Sequence, residues 1–295
     1  LEFRRVLCRS LAAWVITARA LAPVAAMTGT VDDIGDNRLH ERLPGSERAD
    51  EIGRLAATMN RMLGRLESAD HQRRRFVSDA SHELRTPLAV LANQADVALS
   101  APDTTSLADL AGVVNNETSR MAGMVDDLLA LARHDERMTS VEPHSALAGR
   151  PFDLDDVVLA EAARHRRLPV DRSTVSAGRV TGDPATAARA VGHLLDNAAR
   201  HASSLVRVGL ISDGARVRLT VDDDGTGIAE ASRDEVFERF TRLDDARTRD
   251  GGGAGLGLAV VKATFTAMGG KVAVEQSSLG GARFVVDLPA ADPHG

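Results

Sequence analysis

Phe76-Val77-Ser78-Asp79-Ala80-Ser81-His82-Glu83-Leu84-Arg85-Thr86-Pro87-Leu88 sets Phe76, Ala80, Leu84 and Leu88 four residues apart, the spacing of one apolar stripe on a helix. A helix advances about 100° per residue, so His82, two residues before Leu84, lies about 160° round from that stripe and faces solvent. A solvated imidazole keeps a ring nitrogen available as a nucleophile. Glu83 is adjacent and placed to orient or deprotonate the other nitrogen, while Thr86 follows one turn along on the face of His82. Pro87 has no N–H for the Glu83 carbonyl, which predicts a bend near the histidine. A lone surface histidine in a charged helix is usually only solvated, so its surroundings decide what it means.

Downstream the stripe continues through Leu91 and Ala95, breaks at Ser100-Ala101-Pro102-Asp103 and resumes with Leu110, Val114, Met121, Met124, Leu128 and Leu131. This predicts a helical hairpin, whose exposed apolar stripes need a second hairpin to complete a four-helix bundle. Upstream, Val24, Met27, Val31 and Ile34 form one heptad seam, and Ile52, Leu55, Met59, Met62 and Leu66 form another. The connector from Gly35 to Asp50 carries Pro44-Gly45 and many charges. Neither seam helix is stable alone, which implies a small bundle, most simply in a dimer.

Between Met138 and Pro151 the periodicity stops, with Pro143, Gly149 and Pro151 marking a linker. Beyond it, Val206 to Leu210 and Val217 to Val221 alternate around Ser212-Asp213-Gly214, a predicted β-hairpin. Lys271 to Glu275 and Ala282 to Leu288 predict another, and helices are expected at about 184–202 and 256–268. The second half therefore reads as an α/β sandwich of roughly 140 residues. Within it, Asp223-Asp224-Gly225-Thr226-Gly227 follows a strand, and Gly251-Gly252-Gly253-Ala254-Gly255-Leu256-Gly257-Leu258 runs into a helix whose N–H groups and dipole suit a triphosphate. A dinucleotide-binding GxGxxG starting at Gly253 fails at Leu258, and the only Gly-Lys pair, Gly270-Lys271, is followed by Val272, so no Walker A loop exists.

The run around His82 resembles the H-box of sensor histidine kinases nearly letter for letter. The string His193-Leu194-Leu195-Asp196-Asn197-Ala198-Ala199-Arg200-His201 resembles their N-box, Asp223 to Gly227 the G1 box, Val236 to Arg242 the F-box and Gly251 to Leu258 the G2 box. These five elements stand in the family order from about residue 80 to 285. The resemblance implies His82, Glu83 and Thr86 as catalytic residues. It implies a nucleotide site of Asn197, Arg200, Asp223, Gly225, Gly227, Gly253, Gly255 and Gly257, with Asn197 as the Mg²⁺ ligand, since a neutral amide oxygen suits a hard cation whose charge the phosphates balance. In the family, the aspartate matching Asp223 accepts a hydrogen bond from the adenine amino group. The Glu83-to-Thr86 spacing matches the family's ExxT phosphatase pattern. Residues 19–70 resemble a HAMP linker, with Pro23 in the first helix and Asp50-Glu51-Ile52-Gly53-Arg54-Leu55 opening the second. Two departures stand out: His193 replaces the first asparagine of the N-box, and Met268-Gly269-Gly270 stands where His-Gly-Gly is common.

The fold class implied is α plus α/β multidomain. Residues 1–18 form the cut end of a transmembrane segment or a foreign remnant, 19–70 the HAMP bundle, and 71–137 a dimeric four-helix-bundle phosphotransfer hairpin. A linker at 138–150 leads to the ATP-binding sandwich of the GHKL type at 151–290. The implied function is autophosphorylation of His82 from ATP·Mg²⁺ and transfer to an aspartate of a response regulator, together with a phosphatase activity. Because of His193, the alternative is a kinase-impaired scaffold or phosphatase that still binds nucleotide and regulator.

Composition excludes other classes. The chain has 295 residues, a net charge of −6 and a single cysteine, Cys8, which leaves no disulfide framework and no multi-cysteine metal site. Seven Phe, one Trp and no Tyr offer no base-stacking platform, and the acidic balance argues against nucleic acid as a partner. Arg73-Arg74-Arg75 reads as a solvated helix face, and His134, His144 and His165 show no metal-ligand spacing. Leu11 to Ile16, closed in by Arg9 and Arg19, is far short of the roughly 20 apolar residues that span a bilayer. With a HAMP linker behind it, this stretch is expected to be the cytoplasmic end of a transmembrane helix, and the chain the cytoplasmic signalling half of a membrane receptor.

Overall fold

A computed structural model describes residues 40–44, 46, 47, 50–101, 106–139, 149–164, 168–241 and 255–291, with 11, 13–15, 22, 26 and 28 besides. Most of the expected first HAMP helix with all of its seam residues, most of residues 1–18, much of the 138–150 linker and Gly253 lie outside them. Among the described residues no helix is long and apolar enough to cross a membrane. The chain divides into two units, Leu1–Ser81 and His82–Gly295.

In the first unit the Asp50 side chain accepts the Gly53 N–H at 2.9 Å and opens helix α1, Glu51–Ser100. The connector packs on this helix: Leu43 is buried against Ala56, with Ile52, Met59 and Leu63 around it. Asn60 clasps it from below, accepting the Leu43 N–H at 2.8 Å and donating to the Leu43 carbonyl at 3.1 Å. The seam residues Leu55, Met62 and Leu66 remain exposed.

In the second unit, α1 runs on through Pro87, which is buried, without the helix ending there. Helix α2, Leu107–Thr139, is the other arm of the expected hairpin. The sandwich then begins: β1 (Arg150–Asp153), α3 (Leu154–Arg164), β2 (Val170–Val175), β3 (Arg179–Gly182), α4 (Pro184–His201), β4 (Val206–Ser212), β5 (Arg216–Asp223), α5 (Gly257–Ala267), β6 (Lys271–Gln276) and β7 (Ala282–Pro289). β1 pairs with β3, while a five-stranded sheet runs β2-β4-β5-β7-β6, parallel only between β2 and β4. The two expected hairpins and the two expected helices are all present.

Register explains the layers. Val208 pairs with Val221, Val221 with Phe284 and Phe284 with Val274, and one step along Leu210, Leu219, Val286 and Val272 align in the same way. These rows form the face on which α3, α4 and α5 bury Val158, Leu194, Leu195, Val261 and Phe265. One residue beyond the first row, on the opposite face, Arg207, Asp222, Arg283 and Glu275 stand side by side with alternating charge, and Asp171 of β2 bonds Arg207 at 2.9 Å.

Candidate functional site

Helix α4 is the rail on which the nucleotide motifs hang. It starts sharply: Pro184 fills the first turn, and the Asp183 carboxylate caps it by accepting the N–H groups of Ala185 and Thr186; the Thr186 hydroxyl, which also donates to it, and then these two N–H groups lower its pKa from the ordinary carboxylate value. Its apolar side, with Val191, Leu194, Leu195 and Ala198, is buried in the sandwich. His193, Asn197 and His201 follow one another at four-residue intervals and therefore share a stripe. Asn197 is half-buried and Arg200 exposed.

The two ends of that stripe meet the two glycine motifs. At one end, a Cβ on Gly257 would come within 3.0 Å of His193 Nδ1, so the first turn of α5 lies against His193. At the other end, a Cβ on Gly225 would fall 2.2 Å from the His201 carbonyl oxygen, so only glycine fits where this loop abuts α4. From His193 to His201 the helix rises roughly 12 Å, with Asn197 midway.

Asp223 and Asp224 have opposite environments. Asp223 is 2% exposed at the end of β5; burial raises its pKa, although its Oδ1 accepts the N–H groups of Gly225 at 3.0 Å and Ala282 at 3.1 Å. Both bonds fall on one oxygen, and among the described residues no donor reaches the other. A Cβ on Gly281 would lie 2.0 Å from Asp223 Oδ1, so the β6–β7 turn closes over the carboxylate only because residue 281 has no side chain. Asp224 accepts the N–H groups of Ser203 and Ser204 and the Ser204 hydroxyl, which lower its pKa strongly and tie the loop to the end of α4. Gly227, at φ 74°, supplies the left-handed turn that follows.

At the His193 end, Gly255 has φ 70°, and its carbonyl accepts the Phe240 N–H at 2.9 Å, pinning together the two ends of the segment between them. Among the described residues no cluster of three or more His, Cys, Asp or Glu could hold a metal. A half-buried amide such as Asn197 offers one neutral oxygen, which fits a hard cation whose charge phosphates balance and not a cation held by protein carboxylates alone.

His82 stands apart from this group. It is exposed on α1, beside a shallow groove lined by Arg85, Thr86, Ala89, Val90 and Asn93, and Glu83 is half-buried next to it. The Thr86 hydroxyl turns back to the His82 carbonyl at 3.4 Å. The structure thus brings Asn197, Asp223, Gly225, Gly227, Gly255 and Gly257 around one end of the sandwich and leaves His82, Glu83 and Thr86 on the hairpin. Sequence reasoning missed Gly281, Ala282 and Asp224. The Gly280-Gly281 pair was legible only as a turn, and its contact with Asp223 spans almost sixty residues.

Helix α5 also packs on α2. Leu256, Ala259, Val260 and Ala263 are buried with Met124 and Leu131, flanked by Leu84, Leu128 and Phe240. Around this contact His193 Nε2 lies 2.9 Å from Asp127 Oδ1, Arg189 3.4 Å from Asp126 and Arg239 2.5 Å from Asp135.

An exposed histidine on a helical hairpin joined to an ATPase-type sandwich defines a class, and three family profiles match in the same order. They are HAMP domain over residues 15–68, His Kinase A (phospho-acceptor) domain over 72–137, and histidine kinase-, DNA gyrase B- and HSP90-like ATPase over 182–292. The sensor protein RstB of Escherichia coli K12 is 34% identical over 86% of this chain and 57% of its own length. The sensor histidine kinase CusS of E. coli O6:H1 is 33% identical over 91% and 56%. Among solved structures, the histidine kinase AdeS of Acinetobacter baumannii shares the fold, with TM-score 0.55 and 21% identity over 72% of this chain and 98% of that one. The chain belongs to the HAMP-containing sensor histidine kinases, and it spans a little over half the length of the curated relatives.

Proposed function

We propose that this chain is the signalling portion of a membrane sensor that phosphorylates itself on His82 and passes the phosphoryl group to an aspartate of a response regulator. The observation that carries the nucleotide half is Asp223, a buried carboxylate with one oxygen engaged and the other left for a donor such as an exocyclic amine. The first turn of α5 would face the phosphates with its N–H groups, and Asn197 between the two ends would hold a Mg²⁺ that neutralises phosphate charge. A ring nitrogen of His82 attacks the γ-phosphorus; the N–P bond forms as the bond to the β-bridging oxygen breaks, and ADP leaves. Glu83 takes up the proton from the other side of the ring. Phosphoryl transfer of this kind is chiefly positioning and charge neutralisation, which these residues supply.

The exposed apolar stripes of α1 and α2 support a homodimer formed by a four-helix bundle of two hairpins. The groove beside His82 supports docking of a receiver domain, with Thr86 positioned to orient water against a phosphorylated partner. A second reading, a kinase-impaired scaffold or phosphatase, draws on His193, which stands at an N-box asparagine position and bonds out to Asp127. One assay separates them. With γ-labelled ATP and Mg²⁺ the kinase acquires an acid-labile, base-stable label that His82→Ala abolishes. Nucleotide binding without any label supports the scaffold.

A further inference from the structure

Consecutive residues of a strand point to opposite faces of its sheet, and at the end of β5 two such residues are both buried carboxylates. Asp223 lies on the helix side with Val221 and Leu219, and Asp222 on the other. Asp222 belongs to none of the nucleotide motifs and is only 1% exposed. Its Oδ1 accepts the Ser277 hydroxyl and the Arg283 Nε–H, each at 2.7 Å. Ser277 and Arg283 flank the β6–β7 turn, the same turn whose Gly281 and Ala282 close over Asp223. One strand end thus grips one turn from both faces of the sheet.

The turn is built from Ser277. Its N–H donates to the Gly281 carbonyl at 2.9 Å, its carbonyl accepts the Gly280 N–H at 3.1 Å, and its hydroxyl oxygen accepts the Leu279 N–H at 3.1 Å. From the solvent side Gln276 donates its side-chain N–H groups to the carbonyls of Gly280 at 2.6 Å and Gly281 at 3.1 Å. The clearance beneath leaves no play. A Cβ on Gly281 would lie 2.0 Å from Asp223 Oδ1 and 2.5 Å from the Gly225 nitrogen, and one on Gly227 would lie 3.4 Å from Gln276 Nε2. The place of the turn therefore fixes the Ala282 N–H on Asp223 Oδ1, and with it the direction of the second carboxylate oxygen.

We infer that Ser277, anchored on Asp222, and Gln276 are positioning residues for the nucleotide base: they hold the β6–β7 turn down on Asp223 and so aim its second oxygen at an exocyclic amine. This rests on the reading of Asp223 as the acceptor of the base. The anchor is strong because a carboxylate accepts better than a neutral group and because burial keeps water from competing for it. Without the Ser277 hydroxyl the turn is loose at its root, Asp223 gains rotamers, and the ordering of that carboxylate must be met on binding. The first turn of α5, at the other end of α4, keeps its place. The signature is therefore an equal loss of affinity for ATP and ADP, which share a base and differ only in phosphate.

The test is calorimetry of ATP and ADP binding to the full chain and to Ser277→Ala, Gln276→Ala, Asp223→Asn and the double variant Ser277→Ala with Asp223→Asn. Ser277→Ala should weaken both nucleotides about tenfold by the same factor, and Gln276→Ala about threefold, with cooperative melting kept in each. The ATP concentration for half-maximal labelling of His82 should rise in step while the maximal rate stays. In the Asp223→Asn background Ser277→Ala should add less than about twofold, because the group it positions has already been changed, whereas a merely structural loss would add in full. Unchanged binding in both single variants at 276 and 277, a loss confined to ATP, or a full added loss in the double variant overturns the positioning role. Should Ser277→Ala fail to melt cooperatively, Gln276→Ala decides alone, since its side chain is exposed. If Asp223→Asn binds both nucleotides as the wild type does, the base-acceptor reading fails and the inference with it; if only the 276 and 277 variants bind normally, the inference fails and that reading stands.

Discussion

Asp223 and Asp224 are neighbours whose environments pull their acidities apart. Burial raises the pKa of Asp223, so the folded chain holds that proton to higher pH than the unfolded chain, and stability from this group is lost as pH rises through the raised value. Asp224 is the reverse: three bonds from Ser203 and Ser204 depress it, so its contribution is present above a pH of about 4 and is lost as pH falls below it. Burial of this carboxylate therefore disfavours its ionised form, and a ligand that donates to its second oxygen would offset that cost. Asp223→Asn, which keeps the acceptor for Gly225 and Ala282, should leave the melting temperature at pH 7 unchanged or raised while weakening ATP binding at least tenfold by calorimetry; a fall in both would mean that Asp223 is structural. On the hairpin, Thr86→Ala should spare autophosphorylation and slow dephosphorylation of the regulator, and equal loss of both would remove Thr86 from the phosphatase step.

Helix α4 and the β6–β7 turn show how an element carries a site. The helix fixes the distance between the two glycine motifs, and the turn closes over Asp223 because Gly281 has no Cβ. Gly281→Ala should destabilise the sandwich by about 1–3 kcal/mol in urea and abolish nucleotide binding, whereas the same change at Gly214, where a Cβ meets nothing within 4 Å, should leave binding intact. Elements with strong local signals were legible in the sequence: α4 from its motif, β4–β5 and β6–β7 from their alternation, the hairpin from its four-residue spacing. The elements between Arg150 and Gly182 were not, because β1 and β3 have four residues each and β2 carries Asp, Arg, Ser and Thr in place of an alternating pattern. The pairing of β2 beside β4 and the approach of Gly281 to Asp223 join residues far apart in sequence, and no local periodicity records such contacts. The same holds for Asp127 and His193, 66 positions apart.

Across the whole molecule the sandwich is self-sufficient, with Phe284, Leu219 and Val286 fully buried, while α1 and α2 leave Leu88, Val97, Leu99, Val114 and Leu129 in solvent. Such stripes are expected at an interface rather than on a free surface. Val97→Glu combined with Val114→Glu should convert a dimer to a monomer in sedimentation while the sandwich keeps its melting transition; a wild type already monomeric at micromolar concentration would contradict the bundle. The H-box, N-box and glycine motifs assigned the parts of this machine from the sequence, and packing supplied how they are spaced and where the ATP-binding domain rests. If the sandwich serves to phosphorylate one imidazole, peptide mapping by mass spectrometry at alkaline pH, after incubation with ATP and Mg²⁺, should find phosphate on His82 and none in Asp223→Asn. Phosphate confined to serine or threonine, or none while ATP is bound, would mean that His82 is not the acceptor.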